Sequence, residues 1–163
     1  MAHIVNIADA AEQESKAGSR WGSFDKDLTP GMTPRRLGMV ATRVAPGMSA
    51  CPFHTHQVCD EIFYVLSGLG VLRYGEEITA IRPGDAISCP AGTGTAHQLA
   101  NTGSEDLVYL SIGSNAPETE VCTYPDTGKI MVDALQTVGR LEATDYWDGE
   151  PDEPKIFALA RSM

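Results

Sequence analysis

The sequence predicts an all-β protein, a sandwich or barrel built from many short strands. From Leu37 to about Gly113, short apolar or alternating runs are separated by Gly, Pro, Asn and Asp, which is the pattern of such folds. No segment in this region sustains the 3.6-residue period of an amphipathic helix. Glycine and proline are plentiful, at 16 and 10 residues, as tight reversals between short elements require.

The predicted strands follow one another at close intervals. The runs are, in order, LGMVATRVA (37–45), EIFYVLSG (61–68), GVLRYGEE (70–77), ITAIRPGD (78–85), AISCPAGTG (86–94), TAHQLANTGSED (95–106) and LVYLSIG (107–113). Because side chains alternate along a strand, Glu61, Phe63 and Val65 are expected on one face of the second run. The remaining residues of that run are expected on the other face.

The 163 residues fit a single domain. We expect residues 1–163 to form one domain whose barrel core spans about 37–113. The flanking segments, 1–36 and 114–163, are expected as extensions that pack on the barrel or on a dimer partner. In the first extension, the segment ADAAEQESKA (8–17) is predicted to form a short helix.

The second extension is more loosely patterned. We predict a surface loop at TYPDTGK (123–129) and a short strand or turn at IMVDAL (130–135). The segment LEATDYWDGEPDEPK (141–155) carries six acidic residues, which is typical of a solvated face or tail. Its aromatic residues, Tyr146 and Trp147, are expected to lie against the barrel or a second subunit.

The charge of the chain excludes some partners. The formal net charge is −10 and no Lys/Arg cluster occurs, so neither a nucleic-acid backbone nor an acidic membrane surface is an expected partner. No apolar run approaches the roughly 20 residues that a membrane helix needs, and the first residues lack a secretory pattern. A cytoplasmic location is the prediction.

Four residues have the chemistry and spacing of metal ligands. His54 and His56 are two apart on a predicted strand, so both imidazoles point to one face and can reach one ion. Glu61 begins a strand with a buried face, where a carboxylate needs a counter-charge. His97 follows a glycine-rich loop at the start of another strand. A single HxH pair is weak evidence, and a hydrogen-bonded core histidine is the competing interpretation.

The motifs around these residues resemble those of the cupin superfamily. The first reads GMSACPFHTHQVCDEIFYVLSG, from Gly47 to Gly68, and the second reads GDAISCPAGTGTAHQLAN, from Gly84 to Asn101. The resemblance implies a double-stranded β-helix, or jelly-roll, barrel with N- and C-terminal extensions. It also implies one divalent metal ion per chain on His54, His56, Glu61 and His97.

This chain departs from the family pattern in two loops. Six residues rather than five separate Gly47 from His54, and four rather than two separate Gly92 from His97. Both changes leave the ligands in order but can alter the mouth of the site. The motif glycines are expected in turns that need positive φ or close backbone approach, and Asn101 is expected to close a turn by bonding backbone groups.

The resemblance does not choose a reaction. Cupin relatives include sugar-phosphate isomerases, oxalate decarboxylases and dioxygenases, so an enzyme acting on a small polar metabolite is the main hypothesis. A non-catalytic binding or sensor cupin with a structural metal is the alternative. Iron or manganese is the favoured ion, while zinc, nickel, cobalt and copper also suit such ligands. No catalytic residue is assigned.

Arginines and cysteines supply further candidates. Arg43, Arg73 and Arg82 could hold a carboxylate or phosphate, although surface positions are the simpler interpretation. Cys51 and Cys89 could be ligands or redox participants near the metal, but strand parity turns Cys51 away from His54 and favours a packed thiol. The other cysteines, Cys59 and Cys122, are read as small, buried and reduced.

A homodimer is also predicted. Barrels of this class often pair through an edge strand and swapped terminal segments. Four aromatic residues outside the predicted core would suit such an interface, because a partner covers exposed strand edges. They are Trp21, Phe24, Tyr146 and Trp147.

Overall fold

The larger sheet of the fold has six antiparallel strands. The computed structural model describes residues 4–31, 36–115 and 118–161. In spatial order, this sheet contains β1 (Gln13–Ala17), β2 (Trp21–Asp27), β3 (Leu37–Val44), β10 (Leu107–Ser114), β5 (Glu61–Ser67) and β8 (Ala86–Cys89). The central strand β10 pairs with β3 on one side and β5 on the other.

Two smaller sheets form the opposing layer. One contains β13 (Thr137–Gly139), β12 (Lys129–Val132), β11 (Val121–Tyr124) and β4 (Thr55–His56), and the other contains β7 (Glu77–Ile81), β6 (Gly70–Tyr74) and β9 (His97–Asn101). A bridge between His54 and His97 joins the two. The whole is a jelly-roll barrel, as the sequence predicted.

The hydrophobic core lies between the two layers. The alternation predicted for β5 is confirmed, because Phe63 and Val65 are buried whereas Ile62 and Tyr64 are exposed. The buried cluster contains Val44, Phe63, Val65, Ile81, Ile87, Cys89, Leu99, Leu107 and Tyr109. The Phe63 ring of this cluster contacts the His97 ring, with centroids 5.6 Å apart, so the close-packed core adjoins His97.

The predicted helix at 8–17 is wrong. Residues 13–17 form β1, which pairs with β2, and β2 in turn pairs with β3. The segment is polar and fully exposed, so a helix of ten residues would have no apolar face to bury and would be marginal alone. Pairing with β2 satisfies its backbone groups instead. The N-terminal extension therefore enlarges the barrel sheet.

The C-terminal extension adds a strand ladder to the smaller layer. The predicted loop at 123–129 is the tip of a hairpin, because β11 ends at Tyr124 and β12 begins at Lys129. A short strand or a turn was predicted at 130–135, and both are present, because β12 is followed by a 3₁₀ turn at Asp133–Leu135. β11 also pairs with β4, where Cys122 lies opposite His56. This pairing places the ladder beside the predicted ligands.

The acidic segment does not rest on the barrel. Tyr146 and Trp147 are 84% and 71% exposed, and their rings contact each other edge to face, with centroids 4.8 Å apart. Packing of these two rings on a second subunit stays a prediction. A short helix, α1 (Lys155–Ala160), follows, and within residues 4–31, 36–115 and 118–161 no helix is long and apolar enough to cross a membrane.

The motif glycines occupy turns, as predicted. Their φ angles are +74°, +82°, +96° and +69° at Gly47, Gly68, Gly84 and Gly92. At Gly68 a Cβ would also lie 2.3 Å from the carbonyl oxygen of Asp106. Any side chain at Gly68 would therefore push the turn after β5 away from the loop before β10.

Asn101 closes a turn through backbone bonds, which confirms its predicted role. Its side-chain amide donates to the carbonyl oxygens of Val44 at 2.7 Å and Glu105 at 2.8 Å. Its Oδ1 accepts a bond from the Gly103 amide at 2.9 Å. The side chain therefore ties the end of β9 to β3 and to the following loop.

Candidate metal centre

Four side chains from three strands and one bridge converge between the layers. His54 precedes β4, His56 ends it, Glu61 begins β5 and His97 begins β9. The Nε2 atoms of His54 and His56 are 3.0 Å apart. Glu61 Oε2 lies 2.8 Å from His97 Nε2, 3.2 Å from His56 Nε2 and 3.8 Å from His54 Nε2. One donor atom from each residue lies within 4.8 Å of the others.

These distances fit a common cation. Ligand atoms at right angles, each about 2.1 Å from one ion, are about 3.0 Å from each other. Glu61 Oε2 lies 2.8–3.8 Å from the three imidazole nitrogens, and the Nε2 atoms of His54 and His56 are 3.0 Å apart. Three neutral imidazoles with one carboxylate form a donor set suited to divalent transition metals. The group could therefore hold a metal ion.

Outer contacts orient two of the imidazoles. His54 Nδ1 donates to the carbonyl oxygen of Pro52 at 2.8 Å, which leaves Nε2 as the nitrogen with a free lone pair. His56 Nδ1 faces Cys122 Sγ at 3.3 Å and Glu120 Oε2 at 3.6 Å. Such contacts fix the ring orientation and tautomer of histidine ligands.

The electrostatics of the group are those of a compensated carboxylate. Burial raises the pKa of Glu61, but hydrogen bonds from His56 and His97 outweigh burial and hold that pKa well below its ordinary value. Burial lowers the pKa of His54, and the nearby His97 lowers it further. Burial also opposes the charge of His56, yet bonds to Cys122 and Glu61 raise its pKa to about 10. Without a metal, an imidazolium balances the carboxylate.

Sequence reasoning missed Glu120 and treated Cys122 only as a small buried thiol. Cys122 is indeed buried, but its sulfur contacts a predicted ligand, and His56, Glu120 and Cys122 form a second group of donor atoms. The available signal was the alternation of residues 120, 122 and 124. The predicted loop over 123–129 concealed β11, which carries Cys122 and Tyr124 and directly follows Glu120.

A cavity of about 440 Å³ opens onto the cluster. Its lining includes His56, Glu61, Glu118, Glu120, Cys122, Met131 and Asp133. Among the described lining residues there is no lysine or arginine. A small molecule in this cavity would meet carboxylates and, beside them, the group of converging donors.

The three arginines considered as anion binders lie elsewhere. Arg43 pairs with two carboxylates and its guanidinium lies over the Phe24 ring. Arg73 pairs with Asp126 at 2.7 Å. Arg82 lines a separate groove of about 820 Å³ between β7 and β8. None of the three lines the cavity at the metal cluster.

The two cysteines considered as metal partners are protonated thiols. Burial raises the pKa of both Cys51 and Cys89 to about 12. Within the described part of the chain, neither sulfur belongs to the group of converging donors. The packed-thiol interpretation of Cys51 agrees with this burial.

Comparison with known proteins identifies the domain. A family model described as a cupin domain matches residues 40–113. Auxin-binding protein 1 of Arabidopsis thaliana is 38% identical over 112 residues, covering 64% of this chain and 52% of that protein. The oxalate-binding protein of Thermotoga maritima is 34% identical over 70 residues, covering 43% of this chain and 55% of that protein. The chain spans about half the length of the curated relatives it matches.

A solved structure extends the likeness to nearly the whole chain. A sugar phosphate isomerase from Silicibacter pomeroyi superposes with a TM-score of 0.70 at 23% identity, covering 93% of this chain and 97% of that chain. At this identity the likeness shows the fold alone. The family match, the two motifs and the jelly-roll layers agree, and residues 40–113 form a cupin domain.

Proposed function

We propose that the protein is a metal-dependent cupin that acts on a small polar metabolite. One divalent ion is held by His54, His56, Glu61 and His97. The observation that carries this proposal is the convergence of three imidazole nitrogens on one carboxylate oxygen, which lies 2.8–3.8 Å from each of them.

The donor set decides the charge and openness of the centre. Three neutral imidazoles and one carboxylate leave a divalent ion with a net charge near +1, and a six-coordinate ion would keep two positions for ligands. Iron or manganese is the favoured ion, and zinc, nickel, cobalt or copper also fit. When bound, the ion would act as a Lewis acid that polarises a substrate oxygen.

The cavity favours one substrate class over another. A phosphate group needs several cationic or amide donors, whereas the described cavity lining carries Glu118 and Asp133 and no basic side chain. A carboxylate carries one negative charge, against nearly two on a phosphate monoester, so a small organic acid bound to the ion would need fewer further cations. We therefore place organic-acid chemistry, of the decarboxylase or dioxygenase kind, ahead of sugar-phosphate isomerisation.

Metal content tests the ligand assignment. Replacement of His54 or His56 by alanine should reduce the bound metal from about one ion per chain to a small fraction, measured by elemental analysis after dialysis. Thr55→Val is the matched control, since Thr55 lies between the two histidines but bonds Thr123 on the other face of the strand. Full metal content in both alanine variants would overturn the proposal.

Turnover tests the reaction class. Protein loaded with iron or manganese should convert at least one member of a panel of short oxo- and dicarboxylic acids, followed by NMR. Conversion of a sugar phosphate alone would instead support the isomerase class. His56→Ala, which should lack the ion, is the negative control.

A non-catalytic binding function is the second candidate. Two of the relatives bear the names of binding proteins, an auxin-binding and an oxalate-binding protein. On this alternative the metal anchors a ligand without converting it. Thermal stabilisation by a carboxylic acid that requires the metal and gives no product would favour it.

We also propose a homodimer. The side chain of Trp21 is 40% exposed in the isolated chain, and Tyr146 and Trp147 have no cover from the barrel. The Phe24 ring already contacts the Arg43 guanidinium, so it is a weaker interface candidate. Sedimentation should give a dimer at micromolar concentration, and a monomer would contradict it. The cytoplasmic location and the single domain with its core at about 37–113 stay predictions.

A further inference from the structure

A second buried carboxylate lies at the edge of the proposed centre. Glu120 is 8% exposed, and its oxygens accept short bonds from backbone amides. The Gln57 amide donates to Oε1 at 2.8 Å, the Cys59 amide to Oε2 at 2.6 Å and the Val121 amide to Oε1 at 2.8 Å. The charge of this carboxylate is therefore satisfied by the protein.

The donors to Glu120 lie in a functionally important loop. Gln57 and Cys59 belong to the segment that joins His56 to Glu61, two of the proposed ligands. Two amide bonds to one carboxylate restrict how this loop can move. Glu120 therefore holds the distance between the two ligands from a position directly before β11, outside the family motifs.

The same carboxylate faces a proposed ligand directly. Its Oε2 lies 3.6 Å from His56 Nδ1, and Cys122 Sγ lies 3.3 Å from that nitrogen. If His56 binds a metal through Nε2, its Nδ1 carries the proton, and an acceptor beside Nδ1 fixes the ring and raises its basicity. Cys122 Sγ lies at hydrogen-bond distance in that acceptor position, and the Glu120 carboxylate places its negative charge beside the same nitrogen.

We propose that Glu120, assisted by Cys122, is the positioning residue of the metal centre. Glu120 holds the 57–60 loop through its amide bonds and places its charge beside His56 Nδ1, while the Cys122 sulfur accepts the bond from that nitrogen. His56 Nε2 and Glu61 are thereby presented to one ion. This inference rests on the proposed function, since it requires His56 to be a metal ligand.

A second metal ion on His56, Glu120 and Cys122 is the competing explanation. The two oxygens of Glu120 already accept three short amide bonds, so a metal would have to displace donors of the loop. His56 would also have to lose its Nδ1 proton and bridge two ions. The three amide bonds to Glu120 therefore favour the positioning role, and this role predicts one metal ion per chain.

Cobalt binding separates these possibilities. We expect Glu120→Gln to weaken Co²⁺ binding about 10–100-fold, as loss of such an outer contact does, measured by competition with a chelator. At full loading, the visible absorption of Co²⁺ should shift, because the orientation of His56 changes. A merely structural role would leave that spectrum as in the unaltered protein.

Thr123→Val is the matched control. It removes the buried hydroxyl bond between Thr123 and Thr55, at 2.8 Å, on the outer face of the same β4–β11 pair. The variant should melt at a lower temperature but bind Co²⁺ with unchanged affinity and spectrum. Equal effects of Thr123→Val and Glu120→Gln on affinity would overturn the inference, because general loosening of the pair would then explain both.

Further variants cover the remaining outcomes. If Glu120→Gln does not fold, Cys122→Ala leaves the loop bonds in place and should still shift the Co²⁺ spectrum, with a smaller loss of affinity. An unchanged spectrum, or two bound ions per chain in the unaltered protein, would overturn the positioning role. Normal Co²⁺ binding by His56→Ala would instead refute the proposed function itself, so the two failures are distinguishable.

Discussion

The two sides of the centre stabilise their carboxylates in different ways. On the motif side, Glu61 faces the Nε2 atoms of three imidazoles at 2.8–3.8 Å. On the side of the C-terminal ladder, Glu120 faces backbone amides and has a single imidazole nitrogen nearby, at 3.6 Å. Both side chains are mostly buried, at 18% and 10% exposure.

This difference separates a ligand from a supporting group. Imidazoles that surround a carboxylate can lose a proton and bind a metal ion in its place, because imidazole itself is a metal ligand. A carboxylate that accepts amide bonds cannot exchange them without breaking the backbone contacts. Burial of an acidic residue therefore does not identify a metal ligand by itself, whereas the chemistry of its partners does.

The largest expected effect tests that separation directly. Glu61→Gln should weaken metal binding more than about 100-fold, beyond the loss expected for an outer contact, because it removes a charged donor. The measurement is competition of Co²⁺ or Mn²⁺ with a chelator, with Glu120→Gln in parallel. Equal losses in the two variants would erase the distinction between the two sides.

Metal removal should lower the stability of the fold. An ion at 1,000 times its Kd adds about 4 kcal/mol to the free energy of unfolding, and each kcal/mol shifts Tm by about 2–4 °C in a chain of this size. Chelation should thus lower Tm by about 10 °C in differential scanning calorimetry. In Glu61→Gln, with an affinity more than 100-fold lower, the same ion concentration is at most about 10 times Kd and adds at most about 1.4 kcal/mol. Its chelator effect should therefore be at most about 3–6 °C, and a shift as large as that of the unaltered protein would refute the explanation.

Metal uptake should release about one proton at pH 8. Contacts with Cys122 and Glu61 raise the pKa of His56 to about 10, so the metal-free protein is protonated there at pH 8 and the ion must displace that proton. Release should fall as the pH rises through about 10. Calorimetry in two buffers of different ionisation enthalpy measures the number, and identical binding enthalpies at pH 8 would contradict it.

The smallest effect is expected away from both carboxylates. Because burial raises the pKa of Cys51 and Cys89 to about 12, only about one thiol in 10,000 is ionised at pH 8. Neither should react with iodoacetamide unless the protein is unfolded, as checked by mass spectrometry. Cys51→Ala should leave metal affinity unchanged, and a large loss would make this thiol part of the centre.

The motif side was readable from the sequence because its signals are local. Strand alternation placed Phe63 in the core and His54 and His56 on one face, because such inferences depend on neighbours a few residues apart. The resemblance of two short motifs to those of the cupin superfamily implied that Glu61 and His97 join them. The turn glycines and Asn101 follow for the same reason.

The ladder side was decided by tertiary structure. The amide of Gln57 and the carboxylate of Glu120 are 63 residues apart, and no spacing rule connects them. The segment at 13–17 became a strand because the edge of β2 was available for pairing, while its own composition allowed a short helix. The sequence thus determined which side chains could be ligands. The groups that orient them, Glu120 and Cys122, depended on which distant segment came to lie beside β4. Backbone amides pair with whatever acceptor the fold brings within reach, and that choice is made only when the layers assemble.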